Sequence, residues 1–183
     1  MERIIEKDRD RRIASFLSLR FNIQEIDECM VDQLIKMGYF DAPASRSHHG
    51  NAPGNLFEHH KEVMNQLLRM TRSLNLMWGN PRSPYVVAMF HDLCKCDQYI
   101  MNTDGSIDYN QNMLLSGHGD KSCILAASIL PDITEEELLC IRWHMGAFDD
   151  SKNWNCFTAA VKKYPNVLYT HMADMIASQI VGI

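Results

Sequence analysis

Five places along the chain carry residue types that apolar helices seldom hold without a use: His59, the pair His91-Asp92, His118, His144 and Asp174. They follow one another at intervals of 26 to 32 residues, the length of a helix with its connection. Successive helices of a bundle could therefore each turn one ligand toward a common centre. Four imidazoles and two carboxylates, with no obligatory thiolate, suit divalent transition ions: manganese, iron, nickel or zinc, with magnesium a further candidate. One ion takes about four protein ligands, so six predict two ions with one carboxylate bridging. That arrangement can stabilise both the attacking and the leaving oxygen of a phosphoryl displacement.

The most demanding stretch is Val86 to Cys96, VVAMFHDLCKC, which sets His91, Asp92 and Lys95 in the last turns of an apolar helical run. Charged groups in such a segment are tolerated when they are paired or bind a metal. Around it, the periodicity predicts an all-α bundle. Helices are expected over residues 2–20, 24–37 (closed by Gly38), 56–76, 114–130 and 153–163, and from Val167 to about Val181. Ser83-Pro84 reads as N-cap and first position of the central helix, and Thr134 with Glu137 as a capping box opening a helix that Gly146 closes. One small β-hairpin near residues 98–110 turns about Asp104-Gly105. Residues 39–55, YFDAPASRSHHGNAPGN, cannot be regular helix and form a loop expected near the active site. Two histidines, His59 and His60, start the helix that follows, and His171 lies three residues before Asp174, on its face.

The bulk properties bound the function. A chain of 183 residues is read as a single domain, 1–183, with the helices of 1–38 packed on it. A formal charge of −5 and a pI near 5.9 argue against an extended nucleic-acid surface. No apolar run reaches the length of a membrane span. Six cysteines without framework spacing and a charged amino-terminal stretch point to free thiols in a reducing cytoplasm. Cys94 and Cys96 form a CxC pair without a second pair at zinc-site spacing, and read as packing thiols. Nothing in the sequence sets an oligomeric state.

The order H…HD…H…H…D, with HDLCK close to the frequent HDLGK, resembles the HD superfamily of metal-dependent phosphohydrolases over about residues 40 to 180. GNLFEHHKEV is similar to the family's GGLxEHSxxV, SGHGDKS to HGEKS, IRWHMG to a histidine-bearing helix of the binuclear branches, and THMADMIAS to the closing xxADxxAS helix. The loop PASRSHHG resembles the equivalent loop of HD domains attached to exoribonucleases and of phage-type HD hydrolases.

The resemblance implies an HD-domain helical bundle and assigns the ligands. His59 rather than His60 falls on the family ligand, and His59, His91, Asp92 and Asp174 would hold one ion. His118 and His144, with Asp92 bridging, would hold the second, as in HD-type diadenosine tetraphosphate hydrolases and cyclic-dinucleotide phosphodiesterases. The GYP signature of the latter is missing. The activity implied is hydrolysis of a phosphoester or phosphoanhydride of a small nucleotide or dinucleotide by a metal-activated hydroxide. Asp92 and Lys95 would be its catalytic residues, and His49, Lys121 and Arg142 its substrate contacts. Two rival readings keep the fold: a non-catalytic metal- or nucleotide-binding regulatory module, and an exonuclease-like enzyme acting on nucleic acid.

Overall fold

The computed structural model describes residues 2–46, 50–102 and 104–183. Its helices are α1 (Glu2–Leu17), α2 (Glu28–Lys36), α3 (Asn55–Ser73), α4 (Ser83–Phe90), α5 (Gly119–Ile129), α6 (Glu135–Arg142), α7 (Trp154–Lys163) and α8 (Asn166–Met175). The fold is all-α with one small hairpin, in which β1 (Tyr99–Met101) pairs antiparallel with β2 (Ile107–Tyr109), Ile100 opposite Asp108. No described helix is long and apolar enough to cross a membrane.

One apolar cluster joins the amino-terminal helices to the centre: Phe16 of α1 and Leu34 of α2 are buried with Leu56, Phe57, Met89 and Phe90. The start of the 39–55 loop belongs to it, because Tyr39 and Phe40 are fully buried, with ring centroids 5.1 Å apart. Arg12 fixes this entry by donating from Nε to the Phe40 carbonyl at 2.6 Å. Gly54, at φ +79°, gives the guanidinium room, since a Cβ there would lie 2.3 Å from Arg12 Cζ. The loop is thus anchored at both ends, and Ala44 N donates to the Gly50 carbonyl across it. A second cluster, with Val63, Leu67, Val87, Trp143, Val167 and Ala173, packs α3 and α4 against α6 and α8.

Local signals hold where they are chemical. Thr134 Oγ1 accepts from Glu137 N while Glu137 Oε2 accepts from Thr134 N, a complete capping box. Ser83 is not the cap of α4: Arg82 occupies that position, and the Ser83 hydroxyl donates to the buried Glu137 at 3.0 Å. The central helix also stops earlier than expected, at Phe90, and continues from Leu93 to Cys96 as a 3-10 turn. The cause is His91, whose ring Nδ1 donates to the Ala88 carbonyl at 2.9 Å, an acceptor that a continuing helix would offer to the Asp92 amide. α6 ends by the same device, with His144 Nδ1 on the Ile141 carbonyl at 2.7 Å. α6 stops at Arg142, so Gly146 opens a 3-10 turn rather than closing the helix. The 114–130 helix begins only at Gly119, and α8 passes into a π turn at Ile176–Val181.

Candidate metal centre

Each predicted ligand is delivered by a different end or face. His59 lies in the second turn of α3, His91 and Asp92 at the break after α4, His118 at the cap of α5, His144 just past α6, and Asp174 on α8. The antiparallel link of α5 and α6 brings the start of one beside the end of the other. Gly119 makes this close approach possible, for a Cβ there would meet the Arg142 carbonyl oxygen. The rings of His118 and His144 consequently lie 5.1 Å apart.

The six ligand side chains converge. His59 Nε2 is 3.3 Å from His91 Nε2, 3.2 Å from Asp174 Oδ1 and 3.8 Å from Asp92 Oδ2. His91 Nε2 is 3.6 Å from the same Oδ2. The other Asp92 oxygen, Oδ1, faces His118 Nε2 at 2.7 Å and His144 Nε2 at 3.2 Å. One carboxylate therefore divides its two oxygens between two groups of imidazoles.

The ring tautomers explain why this arrangement suits a cation. His59 Nδ1 donates to the Ile183 main-chain oxygen at 2.9 Å, and His91 and His144 donate theirs to Ala88 and Ile141. A carbonyl can only accept, so each neutral ring keeps its lone pair on Nε2, the atom facing the carboxylates. His59 and His91 then oppose lone pair to lone pair, with no proton for a hydrogen bond between them. The buried His144 Nε2 likewise has no hydrogen-bond partner among the described residues. Lone pairs set against carboxylate oxygens in a dry site repel unless a positive ion lies between them, and the donor set fits a transition ion. The buried His/Asp cluster, with Cys94 at its edge, could hold metal ions.

The electrostatics agree. Burial pushes the His91 imidazole down to about 3, so it stays neutral. Burial would raise the Asp92 carboxyl, but Lys95, His118 and His91 outweigh it and hold it well below its ordinary value. Burial would lower the Lys95 ammonium, but the Asp92 carboxylate prevails and holds it above its ordinary value.

The centre opens on a cavity of about 600 Å³ whose walls include His59, Asp92, Lys95, His118 and Asp174. Ala44 and Ser45, from the described part of the 39–55 loop, line it as well. His49 lies outside the described residues. Lys121 and Arg142 are not brought to the cavity. Lys121 is buried and paired with Asp97, and Arg142 is held by Asp120 and by Asp149, the latter at 2.5 Å. Three residues beyond the predicted set belong to the neighbourhood. Cys94 Sγ lies 3.1 Å from His118 Nδ1, His171 lines the cavity with its Nδ1 on the His144 carbonyl, and the buried His60 ring lies tilted against that of His91, centroids 4.7 Å apart. Only His171 had a spacing signal, three residues from Asp174.

No protein-family model matches the chain, and no curated protein or solved structure matches it. What fold and site define on their own is an all-α protein with a buried, cavity-facing His/Asp cluster that could hold metal ions.

Proposed function

We propose that the protein is an HD-type metal-dependent phosphohydrolase that cleaves a phosphoester or phosphoanhydride bond of a nucleotide or dinucleotide. The observation that carries this reading is the division of the Asp92 carboxylate, Oδ2 toward His59 and His91 and Oδ1 toward His118 and His144. His59, His91, Asp92 and Asp174 would hold one ion, and His118, His144 and Asp92 the other. Two divalent ions of the manganese, iron, nickel or zinc kind, or magnesium, supply activation of water and neutralisation of phosphoryl charge when bound at such a site.

The chain's own groups do the rest. Carbonyl acceptors hold Nδ1–H and preorganise the imidazoles, so that Nε2 of His59, His91 and His144 is the atom presented as ligand. Lys95, with its side chain 17% exposed, carries a fixed positive charge at the cavity wall, where it stabilises charge developing on the phosphoryl oxygens. Met145, Phe148, Met175 and Ile183 form an apolar wall fitted to the uncharged part of a nucleoside and to excluding water. Lys95 is the one ammonium or guanidinium lining the cavity among the described residues, which supports a small nucleotide over a polynucleotide tracked along its phosphates. Free thiols at all six cysteines support a reducing, cytoplasmic setting.

The test is turnover of a nucleotide and dinucleotide panel by metal-stripped protein reloaded separately with manganese, iron, nickel, zinc and magnesium. Hydrolysis that depends on the added ion is expected. Tight metal binding with no turnover of any substrate would replace the enzyme by a metal- or nucleotide-binding regulatory module.

A further inference from the structure

His60 stands outside the six ligands, yet it is fully buried and its environment leaves only one of its ring atoms without a use. The Tyr39 hydroxyl lies 2.8 Å from the Met89 carbonyl and 2.8 Å from His60 Nδ1. The carbonyl can only accept, so the hydroxyl gives its single proton to Met89 and must accept from His60 Nδ1–H. That fixes neutral His60 in the tautomer with its lone pair on Nε2. This Nε2 is buried without a hydrogen-bond partner among the described residues. His60 belongs to a group with His91 and Asp92 in which one donor atom from each residue lies within 4.8 Å of the others. An unpaired buried acceptor beside a carboxylate is unfavourable, and a cation between them removes the penalty. His59, His91 and His144 are prepared in the same way, Nδ1–H held by a protein acceptor and Nε2 turned inward.

We propose that His60 is a further metal ligand, binding through Nε2 the ion that His91 and Asp92 share. The proposal rests on the metal-centre reading and deepens it. The cavity wall includes His59 and Asp174 but not His60 or His91, so His60 meets the ion from the closed side and does not touch substrate. Tyr39 is its positioning residue. With His59, His60 and His91 around one ion, the ligand set is richer in nitrogen than the six residues alone provide. It favours zinc, nickel or cobalt over magnesium.

The test uses the full chain with ¹⁵N-labelled histidine and long-range proton–nitrogen spectra before and after zinc loading. Zinc should move the Nε2 resonances of His59, His60, His91, His118 and His144. Movement of the other four with His60 Nε2 unmoved overturns the proposal and leaves the metal centre standing, whereas zinc that moves no imidazole removes the metal centre itself. His60→Gln should weaken zinc binding about 100-fold and Tyr39→Phe about tenfold, with magnesium binding changed far less. Zinc affinity unchanged in a folded His60→Gln overturns it too. If that variant does not fold, the wild-type spectra decide alone.

Discussion

The Lys95 ammonium lies 2.6 Å from Asp92 Oδ2, the same oxygen that faces His59 and His91. One carboxylate oxygen thus serves both the ammonium and the ligand group, and removing the carboxylate or the amine should separate two functions. Asp92→Ala removes both oxygens from the centre, so metal content and turnover should both collapse. Lys95→Ala should keep its metal and lose about 10²- to 10³-fold in kcat, the scale of a deleted charge-stabilising donor. Metal analysis beside steady-state kinetics checks this, and loss of metal from Lys95→Ala with activity kept in Asp92→Ala would reverse the roles.

Acid should destabilise the metal-free protein well above the range where carboxylates titrate. His91 is pushed down to about 3 by burial, and His60 well below its ordinary value by burial and by the neighbouring His91. In the unfolded chain both take up a proton near pH 6.5. From there down toward pH 3 the unfolded state binds more protons than the folded state, so stability falls as pH falls. Each histidine contributes a slope approaching about 1.4 kcal/mol per pH unit in that window. Urea unfolding between pH 7.5 and 4.5 measures it, and a flat profile above pH 5 would contradict the buried neutral imidazoles.

Glu137 joins the fold to the site. It is fully buried, completes the capping box of α6, and accepts from Arg82 Nε at 3.2 Å and from the Ser83 hydroxyl. Glu137→Ala takes one carboxylate from the buried Arg82, which keeps Glu25 and Asp132, and opens the start of the helix that leads to His144. A loss of about 2–3 kcal/mol is expected, the scale of lost hydrogen bonds to a charged group, against about 1 kcal/mol for Thr134→Ala, which removes only the cap. Denaturant midpoints at pH 7.5 distinguish them.

How much of this was legible depends on whether the signal was local. The capping box and the hairpin turn at Asp104-Gly105 are sequence-local, and each lands where turn chemistry predicts. The break after Phe90 is not, because it comes from the His91 ring taking a backbone acceptor that apolar periodicity does not register. His59 and His60 are adjacent on one helix, and periodicity treats them alike. The resemblance singles out His59, and the distances separate the two physically, one turned to Asp174 and the other to Tyr39. Lys121 and Arg142 read as cations available to phosphate because their partners Asp97, Asp120 and Asp149 are brought to them by the packing of different elements.

The second ion should be separable from the first. His118 and His144 face only Asp92 Oδ1, while His59, His91 and Asp174 form a group of their own. His144→Ala should therefore lower the stoichiometry from about two ions to about one and leave the first ion in place. Unchanged metal content with unchanged activity would make His144 a helix-ending histidine and the site mononuclear. Gly119→Ala should act on the same ion indirectly. It wedges α5 away from the Arg142 carbonyl and so parts the two rings, at a cost in stability of about 1–3 kcal/mol.

The weakest ligand should be His118, and the reason lies in what holds its Nδ1. His59, His91 and His144 rest on carbonyl oxygens, which fix the proton on Nδ1, whereas His118 Nδ1 lies 3.1 Å from the Cys94 thiol. Burial pushes that thiol up to about 12, so it stays protonated near neutral pH. Unlike a carbonyl, a thiol can donate, and a proton given to Nδ1 leaves the other ring proton on Nε2, donated to Asp92 Oδ1 at 2.7 Å. Binding an ion at His118 therefore requires the ring to change tautomer first, a cost the other three rings do not meet. Cys94→Ala removes the competing donor and should strengthen the second ion, by about three- to tenfold, while leaving the first unchanged. Cys94→Ser keeps a hydroxyl donor and should stay near wild type. Zinc titration of the three proteins decides it: weaker second-ion binding in Cys94→Ala would show instead that the thiol accepts from Nδ1–H and supports the ligand.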